Sequence, residues 1–316
     1  MPNLATDKAG KIHVVYGKDD DIMYASSSDN GRSFSSPVAI KTLPKLADSH
    51  MRGPQISASA NGLIVTACTE EGNIFSFTKG DSGDWIQSAR VNDVDTAAKE
   101  NLMSLSSDGQ TAFAVWQDNR DKQSRIFGSR SEDGGKTWSK NIMVYASPDG
   151  AVCECCKPSV LVKGDHVYVM FRNWINGNRD LYLIESADEG NSFGQAQKLG
   201  SGSWAYNACP MDGGGFTVNN NGIVESVWRR KSKIYSAEPG KEEQEIGDGR
   251  SCTMESVNNK NVYTWVEDGD IVVIKPRGTK NNLGAGSMPV LKAVNNEHVI
   301  CVWENNEKIF ARVLAL

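Results

Sequence analysis

Apolar and polar residues alternate along this chain in short runs, and the runs end at Gly, Asn or Asp. A period of two places the apolar side chains on one face of a β-strand, whereas an amphipathic helix needs a period near 3.6. Helical spacing is nearly absent. One unit recurs throughout. A Pro or small residue opens an apolar strand, a Gly or Asn turn follows, and a second strand of the form Val-x-Val-x-Trp comes next. A polar hairpin then leads to a third strand closed by a Ser/Asp/Gly turn. Copies begin at Pro2, Pro54, Leu102, Pro158, Met211, Cys252 and Pro289. Their spacing of about 35 to 55 residues is that of propeller blades. A single unit cannot bury both of its faces, so the units must stack into a ring. The pattern predicts an all-β propeller, a single domain over residues 1–316, with seven blades, or six if two short units merge. The N-terminal strand is expected to be innermost in its blade, and the last unit stops after three strands. The aromatic that ends the second strand, at Tyr16, Trp116, Phe171, Trp228, Trp265 and Trp303, is expected to pack between blades.

Composition narrows the partners. Hydrophobic residues make up 39% and charged residues 23%, which suits a globular core. No run approaches the roughly 20 apolar residues of a membrane span. A net charge of −5 excludes the broad basic face of most nucleic-acid binders. The longest non-repeating stretches, Val91 to Glu100 and Ala146 to Cys156, read as interblade connections, where propellers place function.

Three units carry the same turn: Ser27-x-Asp29-x-Gly31-x-x-Phe34, Ser131-x-Asp133-x-Gly135-x-x-Trp138 and Ser186-x-Asp188-x-Gly190-x-x-Phe193, with a degenerate copy at Asp81 to Trp85. The Asp accepts backbone N–H bonds within the turn and the Gly supplies a positive φ. This is the Asp-box, or BNR, repeat, and the chain resembles the sialidase superfamily of β-propellers over essentially its whole length. The box is a folding device and by itself says little about activity. The resemblance implies a carboxylate clamp of three Arg, a Tyr nucleophile assisted by a Glu, and an Asp acid/base. Arg52, in Met51-Arg52-Gly53-Pro54, matches the first Arg. Glu154 and Arg172 are the counterparts of the Glu and second Arg, and Arg229 offers the third. The nucleophile position falls on Arg250-Ser251-Cys252-Thr253-Met254, which holds no Tyr. The acid/base position falls on Cys68-Thr69-Glu70-Glu71-Gly72, which holds no Asp. The expectation is therefore no release of sialic acid, with Tyr206 as the one nearby phenol. Proteins of this resemblance are usually secreted, which implies a periplasmic or extracellular location and a removed leader.

A second pattern lies at the starts of the units. His50 and Met51, Met103, the run Cys153-Glu154-Cys155-Cys156, Cys209 and Met211, Cys252 and Met254, and Met288 all precede or begin an innermost strand. Five of the seven Cys and five of the nine Met fall in this set. Innermost strands start on one face, so Cys155, Cys156, Cys209 and Cys252 are expected close together at one end of the channel, approached by Met211, Met254 and His50. Three readings stay open. Thiolate and thioether ligands suit Cu(I) first and Zn second. Cys153, Cys155 or Cys156 bridged to Cys209 or Cys252 suits an exported protein. Inert packing suits buried Cys and Met. Cys68 and Cys301 lie within strands and read as core. The expected function is a monomeric binding propeller whose mouth takes a small molecule, a glycan or a soft metal. A glycoside hydrolase acting on an anionic sugar and a protein-interaction ring are the alternatives.

Overall fold

A computed structural model describes residues 1–80 and 83–316. The degenerate box read from Asp81 begins outside the described residues. Seven antiparallel sheets follow one another along the chain, six of four strands and a last one of three. Each is a meander, so neighbours in sequence are neighbours in the sheet, as short Gly and Asn hairpins require. The first strands, Asn3–Thr6, Gln55–Ser59, Met103–Asp108, Ser159–Lys163, Gly215–Val218, Arg250–Val257 and Ser287–Asn295, pack against one another around a common axis. The ring is a seven-bladed propeller, and the N-terminal strand is innermost, pairing with Ile12–Lys18 of its own blade. Among the described residues blade seven ends on Lys308–Ala315, its third strand, as its short repeat implied.

The core lies between blades. Trp116 packs with Cys68 and Ile74 of blade two, and Phe171 with Phe113 and Val115 of blade three. Trp228 meets Met170, Trp265 meets Val227, and Trp303 meets Val262, each on the preceding blade. The second-strand aromatic is thus an interblade wedge, as its recurrence indicated. Cys68 and Cys301 are buried in these same clusters.

The three Asp boxes close the hairpin after the third strand with one repeated geometry. Ser131 Oγ donates to Asp133 Oδ1 at 2.9 Å and accepts from Gly135 N at 2.8 Å. Asp133 also accepts from the Thr137 amide at 2.9 Å and hydroxyl at 2.6 Å. Asp29 with Ser33 and Asp188 with Ser192 repeat this pattern. The box glycines meet the preceding blade. A Cβ on Gly135, at φ +86°, would lie 2.6 Å from Ile64 Cγ2, and one on Gly190 would lie 2.5 Å from Phe113. Glycine is needed there for both its φ and its missing side chain.

Candidate functional site

The seven inner strands enclose a cavity of about 210 Å3 lined from Met1 to Lys292. Its mouth is made by the segments leading into those strands. Met51, Asn101 and Met211, two to four residues ahead of their inner strands, and Ser251 and Met288, at the second residue of theirs, all hold φ between 51° and 60°. A left-handed residue without glycine is uncommon and costs about 1–2 kcal/mol. Its recurrence in five blades marks one kink that turns the chain from the interblade connection into the channel. Met1, Met51 and Met288 meet there with Leu102 as a buried apolar cluster, although three blades supply the methionines. Within the channel, Lys157 Nζ donates to Gln55 Oε1 at 2.9 Å, and burial pulls its ammonium down to about 8.

The cysteines converge where blades three, four and five adjoin. Cys155 and Cys209 form a disulfide that joins two successive interblade connections, with Cα atoms 6.0 Å apart. Beside it lie two buried thiols in a Cys-x-x-Cys turn. Cys153 Sγ is 3.4 Å from Cys156 Sγ and 3.8 Å from Cys155 Sγ. Gln117, from blade three and 1% exposed, holds the turn by donating Nε2 to the Cys153 and Cys156 carbonyls, each at 2.7 Å. Arg179 Nη1 donates to Cys153 Sγ at 3.0 Å, and the Asp212 amide approaches Cys156 Sγ at 3.5 Å. The hydrogen bond with Cys156 holds the Cys153 thiol below its ordinary range; burial opposes this, and the Arg179 and Arg172 charges reinforce it. Burial and the Cys153 neighbour push Cys156 the other way.

The sulfur atoms of Cys153, Cys155 and Cys156 all lie within 4.8 Å of one another, the one such group of metal-ligating side chains among the described residues. Cys153 is its hub, although sequence reasoning left it out of the ligand set; the Cys-x-x-Cys spacing was the available signal. Cys252 stands apart from that group. It lines the channel, and it packs with Val227, Met254 and Trp265. Met254 is buried in the same cluster, whereas Met211 is 41% exposed at the mouth. His50 faces the Met211 backbone, Asp212, Arg52 and Arg250, and burial lowers its pKa.

The arginines are dispersed. Arg52 donates to the Glu100 carbonyl at 2.8 Å and pairs with the Glu100 carboxylate at 3.7 Å. Burial raises the Glu100 pKa; the Arg52 charge opposes this, and that of exposed Glu154 adds to it. Arg172 is 1% exposed, and its guanidinium donates to the carbonyls of Asp212, Arg179 and Arg229 at 3.0, 2.7 and 3.0 Å. Arg229 donates to the Lys231 carbonyl at 2.5 Å, and its Cζ lies 5.6 Å from the Trp204 ring centre. Arg172 therefore holds three backbone segments together, two loops and the strand Val224–Arg230, and turns no donor to solvent. Trp174 and Tyr206 are partly exposed beside Arg179, whose Cζ lies 4.6 Å from the Trp174 ring centre and whose Nε donates to the Tyr206 carbonyl at 3.0 Å.

Residues 4–153 match the family profile described as a BNR repeat-like domain. Residues 4–153 are thus BNR-like, and the whole chain is a seven-bladed β-propeller. No curated protein matches it. Among solved structures, a protein of unknown function from Dyadobacter fermentans is similar at 13% identity and a TM-score of 0.54, over 100% of this chain and 94% of that one. The fucose-specific lectin from Aleuria aurantia is similar at 12% identity and 0.55, over 91% of this chain and 95% of that one. The NanB sialidase from Streptococcus pneumoniae is similar at 12% and 0.48, over 98% of this chain and 66% of that one. At these identities the likeness to the first two is one of fold. No helix among the described residues of this propeller is long and apolar enough to cross a membrane.

Proposed function

We propose that this propeller is a non-hydrolytic binding protein that holds a soft metal ion at its mouth, Cu(I) in preference to Zn. The observation that carries the reading is the sulfur cluster, with two unbridged thiols 3.4 Å apart on one turn and a third sulfur 3.8 Å from Cys153. Thiolate sulfur is the donor that favours Cu(I), and two thiolates supply a low coordination number that suits it. Cys153 and Cys156 are the primary ligands. Cys155 and Cys209 join only when their bridge is open, and Met211 and His50 stand at the rim. The Cys155–Cys209 bridge supports an exported location, where disulfides persist.

A single Cu(I) per chain is expected when the metal-free protein is titrated against a chromogenic Cu(I) chelator. Cys153→Ser with Cys156→Ser abolishes that binding, and Cys68→Ser leaves it intact. Equal retention by the double variant would overturn the assignment. A fluorogenic sialoside is expected to remain uncleaved, because Ser251 and Cys252 stand where the resemblance needs a Tyr. Turnover that vanishes in Glu154→Gln would restore the hydrolase reading. A second ligand reading has one observation in its favour. Trp174 and Tyr206 are exposed aromatic residues beside Arg179, one ring under its guanidinium and the other stacked on Trp204, and aromatic rings are the chemistry with which a sugar ring stacks. Loss of glycan-array binding in Trp174→Ala would support it.

A further inference from the structure

Cys153 lies between two possible partners, and that arrangement does more than offer a ligand pair. Its sulfur is 3.8 Å from Cys155 of the Cys155–Cys209 disulfide and 3.4 Å from the Cys156 thiol. Three of the four sulfurs thus form a continuous chain of contacts, and the covalent bridge extends it to the fourth. Cys153 and Cys156 are buried, Cys155 is half-buried and Cys209 is exposed. The chain of sulfur atoms therefore runs from the interior to the surface.

We infer that these four cysteines form a thiol–disulfide exchange centre, in which the buried Cys153/Cys156 pair delivers two electrons through Cys155 and Cys209 to a disulfide-bearing partner at the surface. Exchange proceeds by attack of a thiolate on a disulfide sulfur. In the first step the Cys153 thiolate attacks Cys155 Sγ. The Cys153–Cys155 bond forms, the Cys155–Cys209 bond breaks, and Cys209 leaves as a thiolate. In the second step the Cys156 thiolate attacks Cys153 Sγ, forming Cys153–Cys156 and releasing Cys155. An external disulfide is then attacked by Cys209 and loses one half as a thiolate. Cys155 attacks Cys209 of that mixed disulfide and expels the other half, restoring the original bridge. The net change is one disulfide gained by Cys153/Cys156 and one external disulfide reduced to two thiols, with the two protein thiol protons carried to the products. Gln117 acts as a positioning residue, since its bonds to both carbonyls hold the two thiols of the turn in reach of one another. Arg179 holds the Cys153 sulfur from the opposite side at 3.0 Å.

This inference goes beyond metal binding and meets it at one point, because a Cys153–Cys156 disulfide has no thiolate to offer a metal. The test uses the full chain, metal-free, with oxidised glutathione as the disulfide and peptide mapping after acid quenching and alkylation. The wild type is expected to release two glutathione thiols per chain and to acquire a Cys153–Cys156 bridge while Cys155–Cys209 is restored. Cys153→Ser releases none. The double variant Cys155→Ser with Cys209→Ser keeps the buried pair but slows its oxidation at least tenfold. A wild type whose Cys153 and Cys156 stay reduced while its circular dichroism is unchanged overturns the proposal. So does oxidation of the pair at an undiminished rate in the double variant. Should that variant fail to fold, slow native alkylation of the wild type decides. Labelling of Cys209 paired with a new Cys153 bridge supports exchange, and Cys209 that stays unlabelled refutes it. Copper titration of the same preparation is read separately, so a protein that exchanges without binding Cu(I) leaves this proposal standing and removes the metal reading.

Discussion

Arg172 shows how a residue type can point to one chemistry and serve another. A guanidinium at a propeller mouth suits a carboxylate, because its fork matches two oxygens. Here the three donors that form bonds go to carbonyls of three separate segments, and almost no surface remains. Removing it strands buried carbonyls at about 1–3 kcal/mol each, with partial relaxation. Arg172→Ala is therefore expected to cost on the order of 3 kcal/mol, read as a lowered denaturant midpoint. Arg172→Lys recovers little, since an ammonium cannot span the three acceptors. A variant as stable as the wild type would return Arg172 to the ligand-binding set. The resemblance pointed to Arg172, but the direction of a side chain depends on loops that no periodicity describes. The same limit applies to the cysteines. Cys155 and Cys209 meet because they lie on successive connections, whereas Cys252, grouped with them in the sequence reading, packs elsewhere, and the choice of Cys155 over Cys153 as the partner of Cys209 depends on loop conformation, which Gln117 of another blade fixes for the Cys-x-x-Cys turn.

At the scale of the element, the Asp box was the most legible feature because it is local: its bonds span four residues. What the sequence did not show is that the box faces the neighbouring blade. Gly135 lies against Ile64, a contact across more than one blade of sequence. Gly135→Ala is expected to destabilise the ring by roughly 1–3 kcal/mol through overpacking, with its positive φ adding strain. The boxes also set an acid limit. The Ser33 hydroxyl and amide hold the Asp29 carboxylate well below its ordinary range, and the Ser186 and Ser192 hydroxyls hold Asp188 down to about 2. Asp133 is lowered as well; burial opposes this, but the bonds from Thr137 outweigh it. A carboxylate whose folded pKa is depressed contributes its full share above the unfolded value, about 3.9, and loses it as the pH falls through the folded value. Melting temperature should therefore fall between roughly pH 4 and pH 2. The variant carrying Asp29→Asn, Asp133→Asn and Asp188→Asn should start lower at neutral pH and show a flatter slope in that window. A slope identical to the wild type would place the acid sensitivity elsewhere.

The ring as a whole has one seam unlike the others. Successive blades are linked by the chain itself as well as by side-chain packing, but blade seven closes onto blade one without a connecting segment or a shared strand. Closure uses the bond from Thr6 Oγ1 to the Ala293 carbonyl at 2.9 Å and the packing of Leu4, Ile12 and Val14 on Val294, Ile300 and Val302. Among the described residues blade seven has three strands, of which Lys308–Ala315 is the outermost, with Phe310 40% exposed. The short final repeat made this outermost strand legible, but the closing contacts join the two ends of the sequence and leave no local pattern. Local opening begins where few apolar contacts hold an element. Amides of Lys308–Ala315 should exchange fastest among the third strands, and those of Arg125–Ser131 far more slowly. Gly31 packs under this seam, where an added Cβ would lie 2.7 Å from Val313 Cγ2. Gly31→Ala should speed exchange in blades one and seven on the order of tenfold, the size expected for modest overpacking, and leave blades three to five unchanged. The matching Gly135→Ala should instead speed exchange in blades two and three. Equal acceleration of all seven blades by either substitution would show that the ring opens as one unit, and the seam would then hold no special place in its unfolding.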